Sequence, residues 1–299
     1  MNRPTLYNWE TDIEPYLDTL QHVSQGYTTA KRGIVTLKNG NKVFVKIGVD
    51  EETKRWVTKE IFVYQTLNKA RFEYTPTLLS VNEDNTTMAI EYLSNASFEN
   101  TWNKEKIDAL IVARSELKKC NKLFDKDSLY MKDPYIVNLS DKWSKLLSEQ
   151  SVKKINDIAT HLGADISFSL SQITEYASEY ANHTLCSDTL VHQDIRADNF
   201  AYNPQTKSGK FIDWNWLCYG DDSLDLTPAF INIYLSGIDP FVLHPQAYDR
   251  KIILFLISFW LYAIASGNLR PDQHEQKRRL AQIAQLKICL KLLERNIKV

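Results

Sequence analysis

The sequence predicts an α+β chain in two lobes: a small antiparallel sheet with one helix over residues 1–93, and a larger, mostly helical lobe over 94–299. Three observations predict it. Up to Tyr92, apolar and polar residues alternate in short runs broken by turn formers, the period of strands. From Ser97 onward the period lengthens to that of helices. One strand-like stretch then returns inside the helical part, between Val191 and Leu226, and it carries more polar chemistry than its surroundings.

Composition excludes several classes. Lys and Arg number 36 against 37 Asp and Glu, a net charge of −1, so the chain lacks the basic footprint of a nucleic-acid or anionic-membrane binder. A hydrophobic content of 43% with 11% aromatics supports a sizeable core rather than disorder. The four cysteines (Cys120, Cys186, Cys218, Cys289) are scattered without a C-x-x-C pair, which fits buried thiols in a reducing compartment. The first residues, MNRPTLYNWETDIEP, do not form a signal peptide, and a cytoplasmic location is expected.

In chain order, Leu20–Ile47 reads as three strands. Asn39-Gly40 turns the second hairpin. In Lys42–Ile47, alternation sets Val43, Val45 and Ile47 on one face, with Phe44 and Lys46 on the other. Thr53–Leu67 reads as a helix whose apolar stripe holds Trp56, Val63, Tyr64 and Leu67, and one carboxylate, Glu60. A carboxylate there is desolvated and needs a cation, which Lys46 can supply. Thr77–Val81 and Thr87–Tyr92 add two strands.

Ser97–Cys186 is helical in pattern, with loops expected at Lys126–Pro134 and Leu162–Ile166 and helices at Ser140–Thr160 and Ser169–Tyr180. Leu226–Ser236, Pro245–Ser266 and Asp272–Ile297 close the chain as helices, the last with a basic, solvated face. The run IILFLISFWLYAIA is only 14 residues, about 21 Å as a helix. That is short of a bilayer's roughly 30 Å core, so a buried helix is expected.

Within 191–226 the alternation of Phe200, Tyr202 and Phe211 around Asn203-Pro204-Gln205-Thr206-Lys207-Ser208-Gly209 reads as a β-hairpin. Asn199 and Asp213 are equidistant from Thr206, so folding there sets their side chains across the open end of the ladder. Asp194 precedes them in a loop. Two hard oxygen ligands beside a loop carboxylate suit Mg²⁺ held together with phosphate.

The order H-x-D-x-x-x-x-N, I-D-W and G-D-x-x-x-D-L, carried by His192, Asp194, Asn199, Ile212, Asp213, Trp214, Gly220, Asp221, Asp225 and Leu226, resembles the aminoglycoside phosphotransferase and choline kinase family. The resemblance implies a protein-kinase-like fold and transfer of phosphate from ATP (or GTP), with Mg²⁺, to a hydroxyl of a small molecule. It implies Asp194 as the base that orients the hydroxyl, Asn199 and Asp213 as metal ligands, and the Lys46–Glu60 pair on the nucleotide phosphates. Backbone groups of Glu91 and Leu93 would bind adenine. The turn from Ser24 through Gly26 stands where such a fold covers the phosphates, though with one glycine it matches no glycine-rich fingerprint. Arg196 either stabilises the transferred phosphoryl group or pairs with Asp198. His192 is expected to pack behind the loop, and Asp221 and Asp225 to brace it. Asn215 and Trp216 depart from the acidic and small residues usual after the metal aspartate.

Two further readings stay open. The same machinery serves protein kinases and nucleotide-binding pseudokinases, although Asp213 and Asp225 are too close for a peptide-docking segment. From Phe211 to Asp249 there are six aspartates and no lysine or arginine. With Trp214, Trp216 and Tyr219 these either attract a cationic acceptor, such as an amino sugar or amino alcohol, or cap helices.

Overall fold

The computed structural model describes residues 6–23, 28–131, 142–267 and 273–295. The chain divides into two compact units, Met1–Val137 with Asp188–Tyr219, and Asn138–Ser187 with Gly220–Val299.

The first unit is built on a five-stranded antiparallel sheet. Its strands are β1 (Gln21–His22), β2 (Lys31–Thr36), β3 (Lys42–Ile47), β4 (Leu78–Val81) and β5 (Thr87–Glu91), in the order β1-β2-β3-β5-β4. The Asn-Gly turn fixes the β2–β3 register: Gly40 takes a φ of 81°, Leu37 N–H bonds Asn41 C=O at 2.8 Å, and Lys42 faces Thr36. Val35, Leu37, Val43, Val45, Leu79 and Ala89 line one sheet face and bury against Trp9 and Ile13, which sit on a π-helical turn (Trp9–Ile13). That turn lies outside anything the periodicity indicates, being a single short apolar pair.

The other face receives helix α1 (Glu51–Lys69), which begins at a capping box: Asp50 Oδ1 accepts the Thr53 N–H at 2.8 Å and Thr53 Oγ1 returns the bond. Val57, Ile61, Val63, Tyr64 and Leu67 are buried, and Trp56 is half-buried. Helix α2 (Lys104–Lys118) packs on a hairpin of β7 (Phe200–Asn203) and β8 (Ser208–Phe211), and β6 (Thr189–Val191) pairs with β9 (Cys218–Gly220). Lys126–Met131, expected as loop, forms a short helix α3, started by Asp125, whose carboxylate accepts the Ser128 N–H at 3.0 Å.

The second unit is helical: α4 (Glu149–His161), α5 (Leu170–Tyr180), α6 (Ser223–Leu235), α7 (Pro240–Leu243), α8 (Arg250–Ala265) and α9 (Gln273–Leu293). Helix α8 packs against α4, α5, α6 and α9, and Ile252–Ser258 is buried without a break. No described helix is long and apolar enough to cross a membrane, as the length of the apolar run requires. Two expected helices begin later than their patterns suggested. α4 starts at the Ser148 cap rather than at Ser140, and α8 at the Asp249 cap rather than at Pro245. On α9, Arg279 departs from the expected solvated face: it is buried, bonded to Ala263 C=O and to Glu275 at 3.1 Å.

Candidate active site

The site residues described here lie within the first unit. Alternation along β3 turns Lys46 toward α1, whose stripe presents Glu60, and Lys46 Nζ bonds both the Glu60 carboxylate and Asp213 Oδ1, the latter at 2.7 Å. Glu60 is 1% exposed and Lys46 8%, whereas the Asp213 side chain is 25% exposed, so Lys46 and Glu60 meet almost without water and Asp213 reaches them from the wetter side. One cation facing two carboxylates favours a proton on the more deeply buried of them, Glu60. Burial lifts Glu60 to about 8 against the pull of Lys46. Partial burial pushes Asp213 up, but Lys46 outweighs that and holds it down to about 2. Lys46 itself is pulled down by burial and pushed further up by Asp213 and Glu60, ending above its ordinary value.

Asp213 is set by its backbone. The hairpin closes between Asn203 and Ser208, with Phe200 opposite Phe211, and Asn203 Oδ1 accepts the Gln205 N–H at 2.9 Å inside the turn. The register therefore differs by one residue from folding about Thr206: Asn199 C=O takes the Ile212 N–H at 3.1 Å, and Asp213 lies one step beyond the ladder. A one-residue slip normally turns a side chain to the opposite face. Here Asp213 adopts a left-handed φ of 65°, which aspartate tolerates, and its carboxylate meets Lys46.

The loop after β6 is held from behind by His192, which is fully buried. Its Nε2–H donates to Ile212 C=O at 2.9 Å and its Nδ1 accepts the Asp194 N–H at 3.3 Å, so the two bonds fix one neutral tautomer. The ring packs at 4.6 Å from Trp214 and 5.4 Å from Phe211. Gln193 takes a φ of 67°, and the chain then delivers Asp194 to Asn199, whose Nδ2 donates to Asp194 Oδ2 at 2.8 Å and to its carbonyl at 2.9 Å. With its NH₂ spent on Asp194, the Asn199 side chain has its amide oxygen left as a hard donor. Burial raises Asp194, with Arg196 opposing. Arg196 contacts both Asp194 and Asp198, at 3.2 Å each.

Beneath lies Trp214, fully buried, its Nε1–H bonded to Thr75 Oγ1 at 3.0 Å and its ring edge-on to Phe211 and Phe72. Trp214, directly after Asp213, thus anchors the turn in an aromatic core. At the end of β5, Glu91 N–H is bonded to Thr77 C=O, its carboxylate pairs with Lys210 at 2.7 Å, and Leu93 C=O accepts the Ala96 N–H. Ser24 and Gly26 lie outside the described residues.

Asp221 does not brace the catalytic loop by any described bond. Its carboxylate accepts Cys186 N–H at 3.1 Å, Ser223 N–H at 3.2 Å and Lys251 Nζ at 2.6 Å, all within the second unit. Asp239 pairs with Arg295 at 2.5 Å and accepts the Phe241 N–H, while Asp249 caps α8. These two aspartates are the helix-capping kind, and the charge argument for a cationic acceptor loses them.

One residue went unnoticed in the sequence. Arg32 faces Lys46 across β2–β3, so both cations share a sheet face, and Arg32 helps hold Asp213 down. The signal was present, since 32 and 46 are equidistant from Asn39.

No family model matches the chain, and no curated protein matches it by sequence. Solved structures do. An ethanolamine kinase of Plasmodium vivax is similar over 97% of this chain and 87% of its own, with a TM-score of 0.54 and 15% identity. The choline kinase LicA of Streptococcus pneumoniae is similar over 91% and 95%, with a TM-score of 0.53 and 14% identity. An ADP-bound aminoglycoside phosphotransferase is similar over 89% and 92%, with a TM-score of 0.50 and 16% identity. The likeness establishes the fold: a kinase-like α+β architecture with a small antiparallel sheet and many helices.

Proposed function

We propose that this chain is a phosphotransferase that moves the γ-phosphoryl group of ATP, or GTP, to a hydroxyl of a small molecule. The observation that carries it is Lys46 bridging Glu60 and Asp213 in the same unit as the Asn199–Asp194 bond. On a kinase-like fold this set has the parts that phosphoryl transfer needs, where catalysis is positioning and charge neutralisation.

The donor set fits Mg²⁺. Asp213 is ionised at any working pH, Asn199 offers its amide oxygen, and among the described residues no cluster of three or more Asp, Glu, His or Cys could hold an ion. Such a pair suits an ion that keeps water and phosphate in its shell. Asn199 and Asp213 would hold it, and its charge would neutralise the phosphate oxygens. Lys46, positioned by Glu60, binds phosphate as a point charge. The backbone at Glu91 and Leu93 takes the base. Asp194 receives Asn199 and Arg196 on Oδ2, so Oδ1 accepts the hydroxyl proton and aims the oxygen in line. Residues 1–93 would form the nucleotide lobe and 94–299 the acceptor lobe.

The neighbours named above are an ethanolamine kinase, a choline kinase and an aminoglycoside phosphotransferase. Hydroxylated amines are therefore the first acceptors to try, ahead of anionic sugar phosphates. A screen of amino alcohols, amino sugars and neutral sugars with ATP or GTP, read as product mass, tests the proposal. A product heavier than its acceptor by one phosphoryl group supports it. Nucleotide bound without transfer to any hydroxyl would overturn it in favour of a regulatory, catalytically silent protein.

A further inference from the structure

The Arg196 guanidinium lies between two carboxylates. Its Nη2 is 3.2 Å from Asp194 Oδ2 and 3.4 Å from Asp198 Oδ2, while its Nε is 3.2 Å from Asp198 Oδ1. Asp198 thus faces the Nε–Nη2 edge with both oxygens: Oδ2 accepts a hydrogen bond from Nη2 and Oδ1 meets Nε as an ion pair, so one directed bond and a second charge contact hold the guanidinium. Arg196, Asp194 and Asp198 are 28%, 25% and 33% exposed, so water screens the contacts only in part. The turn that puts Asp198 there is the one that delivers Asn199, whose N–H bonds Arg196 C=O at 3.1 Å.

A guanidinium two residues from a carboxylate base has an obvious alternative: to close its whole edge on that base and occupy both oxygens. Asp198 competes for the same edge. We propose that Asp198 is a positioning residue, holding Arg196 so that it reaches Asp194 through one nitrogen and one oxygen only and leaves Oδ1 to the acceptor hydroxyl. The inference rests on the phosphotransfer reading of Asp194. It assigns a role to a residue that the sequence offered only as a partner quenching Arg196.

Asp198→Asn keeps the shape and removes the charge. Phosphoryl transfer is expected to fall roughly tenfold or more in kcat, the scale of a sub-ångström to ångström misplacement at a reacting centre. Nucleotide affinity should stay at the parent's value, and Asp198→Glu should restore much of the rate. Because Asp198 acts through Arg196, adding Asp198→Asn to Arg196→Gln should slow the enzyme no further. Parent-like turnover in Asp198→Asn, or losses that multiply in the double variant, would overturn the role. A second measurement needs no turnover: a crystal structure of Asp198→Asn should show the Arg196 edge turned onto both oxygens of Asp194. An Arg196 that keeps its single contact to Asp194 in the variant sinks the clamp even if no acceptor is found. Absence of transfer by the parent, with Arg196 turned onto Asp194 in the variant, counts against the phosphotransfer reading and leaves the clamp standing.

Discussion

At the scale of residues, the centre is a charge balance in which Lys46 serves two carboxylates, with burial raising Glu60 to about 8 and Lys46 holding Asp213 down to about 2. Two outcomes follow. Asp194→Asn keeps the Asn199 contact geometry but removes the proton acceptor. Transfer should drop by roughly two to four orders of magnitude while nucleotide affinity, measured by calorimetry, is unchanged. Near-normal turnover would remove Asp194 from the base role. The second concerns pH. Glu60 keeps its proton to about 8 when folded against 4.5 as a free side chain, so across that window the folded chain binds more protons than the unfolded one. The contribution of Glu60 to stability then falls as pH rises from about 4.5 to about 8. Glu60→Gln cannot titrate, and its urea midpoint should decline less between pH 5 and pH 8 than the parent's. Parallel curves would show that Glu60 is ionised throughout.

At the scale of elements, the hairpin is where sequence reading and structure part by one residue. The Lys46–Glu60 pair was legible because strand alternation and helix spacing each fix a face, and together they leave the lysine one carboxylate to meet. The β7–β8 hairpin was legible as an element, but not in register. Symmetry about Thr206 assumes an odd-centred loop, whereas Asn203 Oδ1 bonds the turn backbone and closes an even one between Asn203 and Ser208. Helix caps were left open in the same way: Asp239 and Asp249 read equally as counter-charges for a cationic acceptor or as caps, because nothing in the periodicity marks a cap until the helix start is known. Gly209 tests how much the site depends on the hairpin. A Cβ there would lie 2.1 Å from Phe200 Cζ, and Phe200 is fully buried against Phe211 and Trp102, so its ring has nowhere to go. Gly209→Ala should cost about 1–3 kcal/mol of stability by overpacking. It should also weaken catalysis, because Phe200 follows Asn199 directly. A variant as stable as the parent would mean that the strand pair is looser than its packing implies.

At the scale of the molecule, the candidate catalytic and nucleotide-binding residues that are described fall in one compact unit, although Lys46 and Asp213 are 167 residues apart in sequence. The chain order alone could not show this, since 188–219 returns to the first unit after the excursion of 138–187. Nucleotide with Mg²⁺ should therefore raise the melting temperature of that unit. At a hundredfold excess over Kd the stabilisation is about 2.7 kcal/mol, or roughly 5 °C. Asp213→Ala should abolish the Mg²⁺-dependent part of the shift in a thermal melt, and Lys46→Ala should reduce the shift with or without the ion. An Asp213→Ala protein that responds to Mg²⁺ and ATP like the parent would move the ion elsewhere.

The left-handed backbone at Asp213 also shapes how this chain can change over generations. Few side chains accept that conformation, chiefly glycine, asparagine and aspartate. Drift at the position is thereby funnelled toward residues that keep the fold. Asparagine is among them, a single nucleotide away from aspartate, and it would leave the turn, Trp214 and the hairpin in place while removing the negative charge that Lys46 meets. A lineage could thus lose the chemistry in one step and keep the protein, so the first residue to inspect in any relative suspected of signalling rather than turnover is the one at 213.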